Sequence, residues 1–390
     1  MDKFLMYVPT KAFFGAGELN NLHKQALPGK RAMLVISNGK STRENGYLAR
    51  TEEQLAKAGV EYFVFDRVEA NPLKSTVMAG GAFAREHSCD FVVALGGGSV
   101  MDASKAIALM ATNGGDLWDY VQSGTGGRKT PERDPLPIVA ITTTAGTGSE
   151  TDSGGVITNP ETHEKTGIVS EKFFPVIAIV DPELMTSVPP KFTAYQGFDA
   201  LFHSTEGYIS NKANLMSDMV AITAIENVGR NLAATVRDGK DLDARAKVAF
   251  GNYLSGIQMC VGCCTSEHSL EHAMSAYHQE LPHGAGLIMI SLAYYEFFIK
   301  KGVAPERFVR MAQAMGMTEA SKPEDFLTAL ANLQRECGVD NLKMSDYGIT
   351  PDEFEKMAKN AMDSMCWLFV NDRVELSVED CVEIYAKSYK

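Results

Sequence analysis

The sequence predicts an α/β dinucleotide-binding domain with a Rossmann-like parallel sheet, followed by an all-α domain. Three observations lead there. Over residues 1–186, short apolar β-rich runs alternate with helix-forming stretches, the pattern of parallel strands covered on both faces. Glycine-rich turns follow two of those runs directly. Beyond Asp181-Pro182-Glu183-Leu184 and the turn Val188-Pro189-Pro190, strand signals fade and helical spacing takes over.

In order along the chain, the first strand signal is Ala32-Met33-Leu34-Val35-Ile36-Ser37, which ends in Asn38-Gly39 and leads into a helical stretch through Ala56. Glu61 to Phe65 is next, followed by a turn at Asn71-Pro72 and a helix ending near His87. Asp90 to Leu95, Leu136 to Thr142 and Val176 to Val180 complete the strands. In the second half, Leu215 to Ala234, Ala244 to Gln258, Pro305 to Met315, Glu324 to Cys337 and Pro351 to Met362 have helical spacing and helix-forming residues. The domains expected are therefore 1–186 and 187–390.

Composition excludes several classes of function. With 390 residues, 45% of them hydrophobic and 22% charged, the chain is globular rather than disordered. A net charge of -12 argues against a nucleic-acid partner, which would want a basic face. No apolar run reaches the roughly 18 residues of a membrane span, and the start, Met1-Asp2-Lys3-Phe4, shows no signal-peptide core. No membrane partner and a cytoplasmic location are expected. Seven scattered cysteines do not make a secreted disulfide pattern. Cys260, Cys263 and Cys264 lack a second CxxC and, lying in the small-residue segment Ser255 to Ser266, read as helix-packing residues.

Phe91-Val92-Val93-Ala94-Leu95 runs straight into Gly96-Gly97-Gly98-Ser99 and the helix Val100 to Met110. Glycines let a backbone approach a ligand closely, and Ser99 is placed to cap a helix whose N-terminus favours an anion. A second turn, Thr142-Thr143-Thr144-Ala145-Gly146-Thr147-Gly148-Ser149-Glu150, follows the strand Ile138 to Ile141. Neither turn has the G-x-G-x-x-G or P-loop spacing. Two such turns in one sheet, each at a strand carboxyl end where open α/β folds bind ligands, point to a dinucleotide.

The stretch Lys191 to His283 holds five of the eight histidines. Asp199 and His203 are four apart, as are His268 and His272, and Pro282-His283-Gly284 follows eleven residues on. Residues four apart on a helix share a face, so each pair can enter one cavity. Imidazoles with one carboxylate suit Fe2+ or Zn2+ better than Ca2+ or Mg2+. A metal so held, beside a nucleotide, implies polarisation of an alcohol or aldehyde oxygen and hydride exchange with a nicotinamide.

Gly96-Gly97-Gly98-Ser99 with Asp102 and Lys105, Thr143 to Glu150, Asp181-Pro182, Asp199-x-x-x-His203-x-x-Glu206-x-Tyr208, His268-x-x-x-His272 and Pro282-His283-Gly284, in that order over nearly the whole chain, resemble the iron-containing (group III) alcohol dehydrogenases. The resemblance implies a dehydroquinate synthase-like architecture and a metal held by Asp199, His203, His268 and His283. His272 falls on a residue that is not a ligand and passes protons. Pyrophosphate binding falls on Gly96, Gly97, Gly98 and Ser99, with Asp102, Thr143, Thr144, Thr147 and Lys165 as further cofactor residues. A homodimer or larger assembly is also implied.

This chain departs from the pattern twice. The interval from His272 to His283 is one residue longer, which brings in His278 as an alternative ligand; the flanking Pro282 and Gly284 favour His283. Where many NAD-using members carry an Asp for the ribose, this chain has Asn38-Gly39-Lys40-Ser41. Asn38 can bond a free 2′-hydroxyl, while Lys40 or Arg43 can attract a 2′-phosphate, so NAD and NADP both stay open. Glu150, Asp152, Met259, Val261 and Cys263 are expected to face the substrate, a small alcohol or aldehyde, in a pocket of mixed polarity. A different chemistry is also written here. His268-Ser269-Leu270-Glu271-His272 fits H-x-x-E-H, a zinc metallopeptidase motif. That reading leaves both glycine turns, Asp199 and His203 without a role, and a passive nucleotide-binding module explains only the α/β half.

Overall fold

A computed structural model describes residues 3–390; Met1 and Asp2, the first residues of the start read above, lie outside the described residues. Among the described residues eight strands form: β1 (Lys11–Phe14), β2 (Arg31–Ser37), β3 (Glu61–Val68), β4 (Phe91–Gly96), β5 (Ile138–Thr142), β6 (Gly154–Asn159), β7 (Glu164–Val169) and β8 (Ile177–Val180). Six make one sheet in the order β1-β8-β5-β4-β2-β3, every pair parallel. Alternation within each strand explains why the central runs read as continuously apolar. Met33, Val35, Val92, Ala94 and Ala140 pack on one face, and Ala32, Leu34, Ile36, Val93 and Val139 pack on the other.

Between these strands run α1 (Ser41–Glu44), α2 (Tyr47–Lys57), α3 (Lys74–Glu86) and α4 (Gly98–Thr112). The order reverses between β2, which leads on to β3 at one edge, and β4, which lies on its other side. Because Val35 pairs with Ala94, the ends of β2 and β4 stand side by side. The crevice of a doubly wound sheet opens at such a reversal. It places Asn38-Gly39 next to Gly96-Gly97.

Two elements were not expected. The edge strand β1 is short and half exposed, so it lacks an apolar run. The antiparallel hairpin β6–β7 pairs Gly154 with Val169 through Asn159 with Glu164.

The remainder is helical: α5 (Pro190–Ile209), α6 (Leu215–Arg237), α7 (Leu242–Val261), α8 (Ser266–Tyr277), α9 (His283–Lys300), α10 (Pro305–Ala314), α11 (Glu324–Glu336), α12 (Phe354–Ser364), α13 (Cys366–Phe369) and α14 (Val378–Ser388). One large core joins α5 to its neighbours through Phe198, Phe202, Leu232, Leu270, Tyr295 and Phe326. Among the described residues no helix is long and apolar enough to cross a membrane.

Candidate active site

Helix α5 places Asp199 and His203 one turn apart, and α8 does the same for His268 and His272. His283 opens α9 directly after Pro282. Its neighbour Gly284 explains the local sequence, since a Cβ there would stand 2.2 Å from the Tyr195 carbonyl oxygen of α5. Only glycine lets the start of α9 lie that close to α5. Asp199 Oδ1 then lies 3.6 Å from His203 Nδ1, 3.4 Å from His268 Nε2 and 3.5 Å from His283 Nε2. Asp199, His203 and His268 are buried, and His283 is half-buried.

Two carboxylates hold the imidazoles from behind. Glu206, one turn beyond His203, receives His268 Nδ1 and also the backbone N–H of His268 and Thr265. Glu271 receives His283 Nδ1. With Nδ1 engaged in this way, Nε2 of each ring is left toward Asp199, the arrangement that orients metal-binding histidines. His203 Nδ1 is buried with no hydrogen-bond partner among the described residues.

The charges follow the same geometry. Burial works against ionisation of Asp199, but the neighbouring imidazoles outweigh it and hold the carboxyl well below the usual range. Burial pulls His203 down to about 3. It opposes charge on His268 as well, yet Glu206 and Asp199 prevail and raise that ring to about 10. An anionic carboxylate, three convergent imidazoles and an unpartnered buried ring nitrogen are a donor set that fits Fe2+ or Zn2+.

A cavity of about 400 Å³ runs from these histidines to the glycine turn, a size suited to a small-molecule site. It brings together Gly98, Ser99, Asp102, Thr147, Lys165, His203, His268, His272 and His283. A Cβ on Gly98 would meet Thr147 Cγ2 at 2.2 Å, and one on Gly97 would meet Thr144 Cγ2 at 2.7 Å, so the two turns pack directly on each other. Asp102 accepts from Ser149 Oγ at 2.7 Å and from the Val156 N–H at 2.9 Å. Burial pushes its carboxyl up to about 6.

Other expected residues stand outside the cavity lining. Gly96, Gly97, Thr143 and Thr144 form the backs of the two turns, Asp199 lies behind the imidazoles, and Asn38 and Gly39 are exposed at the end of β2. Lys165 reaches the metal-site side: its Nζ donates to Ser275 Oγ at 2.8 Å and lies 3.4 Å from Glu271 Oε2.

Several readings require correction. Ser99 does not cap a helix starting at Val100; α4 already begins at Gly98, with extended Gly97 as its N-cap and no side-chain bond there. His278 is turned away, its Nε2 3.1 Å from Glu353 Oε2. Glu150 is buried against Asn252, and neither it nor Val261 lines the cavity. Cys263 and Cys264 lie beyond the end of α7, and all three clustered cysteines line the cavity rather than a helix-helix seam. At His272, burial pushes the imidazole pKa well below the usual histidine range.

The sequence reading missed the structural parts of Glu206 and Glu271, and the lining from Asn71, Gly155, Met365, Trp367 and Leu368. Gly154-Gly155-Val156-Ile157-Thr158-Asn159-Pro160 did carry a signal, since glycine and β-branched residues run into an Asn-Pro turn.

The fold and site define a metal-dependent, dinucleotide-linked oxidoreductase. The chain matches the model of the iron-containing alcohol dehydrogenase family over residues 9–182 and that family's C-terminal domain over residues 193–389. It is 32% identical over 387 residues to alcohol dehydrogenase 4 of Saccharomyces cerevisiae, covering 98% of each chain. It is 30% identical over 387 residues to the NAD-dependent methanol dehydrogenase of Bacillus methanolicus, covering 97% of this chain and 98% of that one. An archaeal alcohol dehydrogenase from a Red Sea brine pool superposes with a TM-score of 0.94 at 31% identity over 99% of both chains. The protein belongs to the iron-containing alcohol dehydrogenase family and is an alcohol dehydrogenase; iron and NAD(H) are the cofactors this membership supports.

The metallopeptidase reading falls. Among the described residues no metal-compatible cluster joins His268 to His272, and Glu271 is engaged by His283 and Lys165.

Proposed function

We propose that the protein interconverts a small primary alcohol and its aldehyde with NAD(H), using iron held by Asp199, His203, His268 and His283. The observation that carries this is the convergence of three imidazole nitrogens on one Asp199 oxygen within 3.6 Å, at one end of a cavity whose other end is the glycine turn. When bound, iron supplies Lewis-acid polarisation of a substrate oxygen, and the nicotinamide supplies or takes the hydride.

The chain's own residues do the positioning. Glu206 and Glu271 accept the Nδ1 protons of His268 and His283, so Nε2 is the nitrogen of each ring that would give up its proton to a metal. His272 lines the cavity with its Nδ1 buried and unpartnered among the described residues; held neutral by burial, it is the residue placed to accept the hydroxyl proton transiently and pass it on. Gly96 to Ser99 and the N-terminus of α4 cradle the pyrophosphate, with Asp102, Thr143, Thr144, Thr147 and Lys165 around the dinucleotide. Asn38 and Gly39, beside Gly96 and Gly97 at the strand reversal, take the ribose. Arg43 is paired with Asp66 at 2.8 Å on the surface, while Lys40 beside it is exposed; NAD(H) is the choice supported by the NAD-dependent methanol dehydrogenase relative. The apolar run Phe4 to Tyr7, exposed along its length, fits burial against a second copy of the chain. Seven free cysteines fit a reducing, cytoplasmic setting.

The test is aldehyde reduction with NADH and NADPH by chelator-treated protein given back Fe2+ or Zn2+. Turnover returns with iron and NADH, is lost with bound metal in His268→Ala, and survives in His278→Ala. Full activity after exhaustive metal removal would refute the reading.

A further inference from the structure

The cavity holds a second kind of donor. Cys260 of α7, and Cys263 and Cys264 from the bend that follows, line it together with His203 and His268. Among the described residues one of these thiols joins a metal-compatible group: Cys264 Sγ and one nitrogen each of His203 and His268 lie within 4.8 Å of one another, all three residues buried. A tetrahedral zinc ion, about 2.3 Å from sulfur and about 2.1 Å from nitrogen, holds such donors about 3.6 Å apart. Rotation of a side chain covers the difference.

These donors are uncommitted. His203 Nδ1 has no hydrogen-bond partner among the described residues, on a side chain that is 8% exposed. Cys264 Sγ makes only a long contact, 4.0 Å, with the His203 carbonyl oxygen. The backbone carries the sulfur there: Cys263 has φ 65, in the left-handed region that costs a residue with a side chain. Asn371 Nδ2 braces that bend by donating to Cys263 Sγ at 3.1 Å and to the Cys264 carbonyl at 3.0 Å. The sulfur of Cys263 is thus taken, and that of Cys264 is left to the histidines. Burial holds the Cys264 thiol well above its usual range, so the thiolate ligand forms when a cation displaces the proton to solvent.

His268 also belongs to the group made with Asp199 and His283. Its Nδ1 is engaged by Glu206, so Nε2 serves one cation at a time and the two groups are alternatives. Resting on the metal site proposed above, we infer that Cys264 is a further metal donor, which with His203 and His268 draws a thiophilic divalent cation such as Zn2+ away from Asp199 and His283. A thiolate is a soft ligand that favours zinc, while the carboxylate of Asp199 suits a harder ion. Zinc and iron thus take different sets of donors in one cavity.

Cobalt reports the donors directly, because a thiolate on Co2+ adds an intense near-ultraviolet charge-transfer band that nitrogen and oxygen ligands do not. Chelator-treated protein titrated with Co2+ should develop this band beside the visible ligand-field bands. Cys264→Ser should lose the near-ultraviolet band and keep the visible ones, and its preference for Zn2+ over Fe2+, read by competition with a chromogenic chelator, should fall. Cys260→Ala combined with Cys263→Ala should keep the band, an assignment that does not depend on Cys264→Ser folding. Visible bands alone in the wild type, a near-ultraviolet band that survives Cys264→Ser, or one that vanishes from the double variant while its visible bands stay, overturns the thiol assignment and leaves the dehydrogenase reading intact. Absence of Co2+ uptake by the wild type overturns both this donor and the metal site on which it rests.

Discussion

Lys165 of β7 and Glu271 of α8 meet behind the cavity wall, Nζ to Oε2 3.4 Å, and the same carboxylate receives His283 Nδ1. The Lys165 side chain is 5% exposed and that of Glu271 0%. A single buried acid thus ties the hairpin to the proposed metal site and holds one of its imidazoles.

Removing that acid should therefore damage two properties at once. In Glu271→Ala, Lys165 is left buried without its counter-charge, which costs about 3–5 kcal/mol, and urea unfolding should show a loss of that order. In Glu271→Gln the volume stays and His283 loses its anionic acceptor. Metal affinity should then drop about 10–100-fold, read by competition with a chromogenic chelator. Unchanged chelator competition in Glu271→Gln would show that Glu271 does not orient a ligand.

The packing of Gly98 on Thr147 makes a separable prediction for the dinucleotide end. Gly98→Ala sets a Cβ 2.2 Å from Thr147 Cγ2, which forces the two turns apart. NADH affinity, measured by fluorescence titration, should weaken about tenfold or more, the scale of the 1–3 kcal/mol typical of overpacking. Bound metal should stay at the wild-type level. Because the nearest clash is with a methyl group, with Thr147 Oγ1 next at 2.8 Å, adding Thr147→Ser to Gly98→Ala should recover part of the affinity. If the double variant binds as weakly as Gly98→Ala alone, the methyl contact is not the cause.

Which parts of this architecture could be read from residues follows from burial. Helices α6, α10, α11 and α12 each have one buried and one exposed face, so their periodicity was plain. Helix α5 buries Thr193 to Tyr195 and nearly everything from Gly197 to Ile209, and α8 buries all of Ser266 to Ala276. A helix buried all round has no stripe to detect. For α5 and α8 the histidine spacing, not hydropathy, revealed the helix. Candidate donors stood out because metal chemistry restricts residue type; the choice of Asp199, His203, His268 and His283 among them came with the family resemblance. The cavity wall was not, since Met365, Trp367 and Leu368 lie about a hundred residues from His268 in sequence and only the fold brings them to it. Glu206 and Glu271 were visible as letters, but which nitrogen each engages is set by helix packing.

Asp372 provides a pH signature that does not depend on catalysis. It is buried, bonded to the Tyr294 hydroxyl at 3.3 Å and to the Ser266 N–H at 3.4 Å, and burial with the nearby Glu206 raises its pKa to about 8. In the unfolded chain an aspartate titrates near about 4. Between these values the folded protein holds a proton that the unfolded chain has released. Linkage then makes stability from this group complete below about pH 4 and progressively lost as pH rises toward about 8. Asp372→Asn keeps the shape and cannot ionise, so its stability should lack this decline. Urea midpoints at pH 5 and pH 8 decide the matter: wild type should lose more stability over that interval than Asp372→Asn. Equal losses in the two proteins would mean that Asp372 is ionised in the folded state throughout.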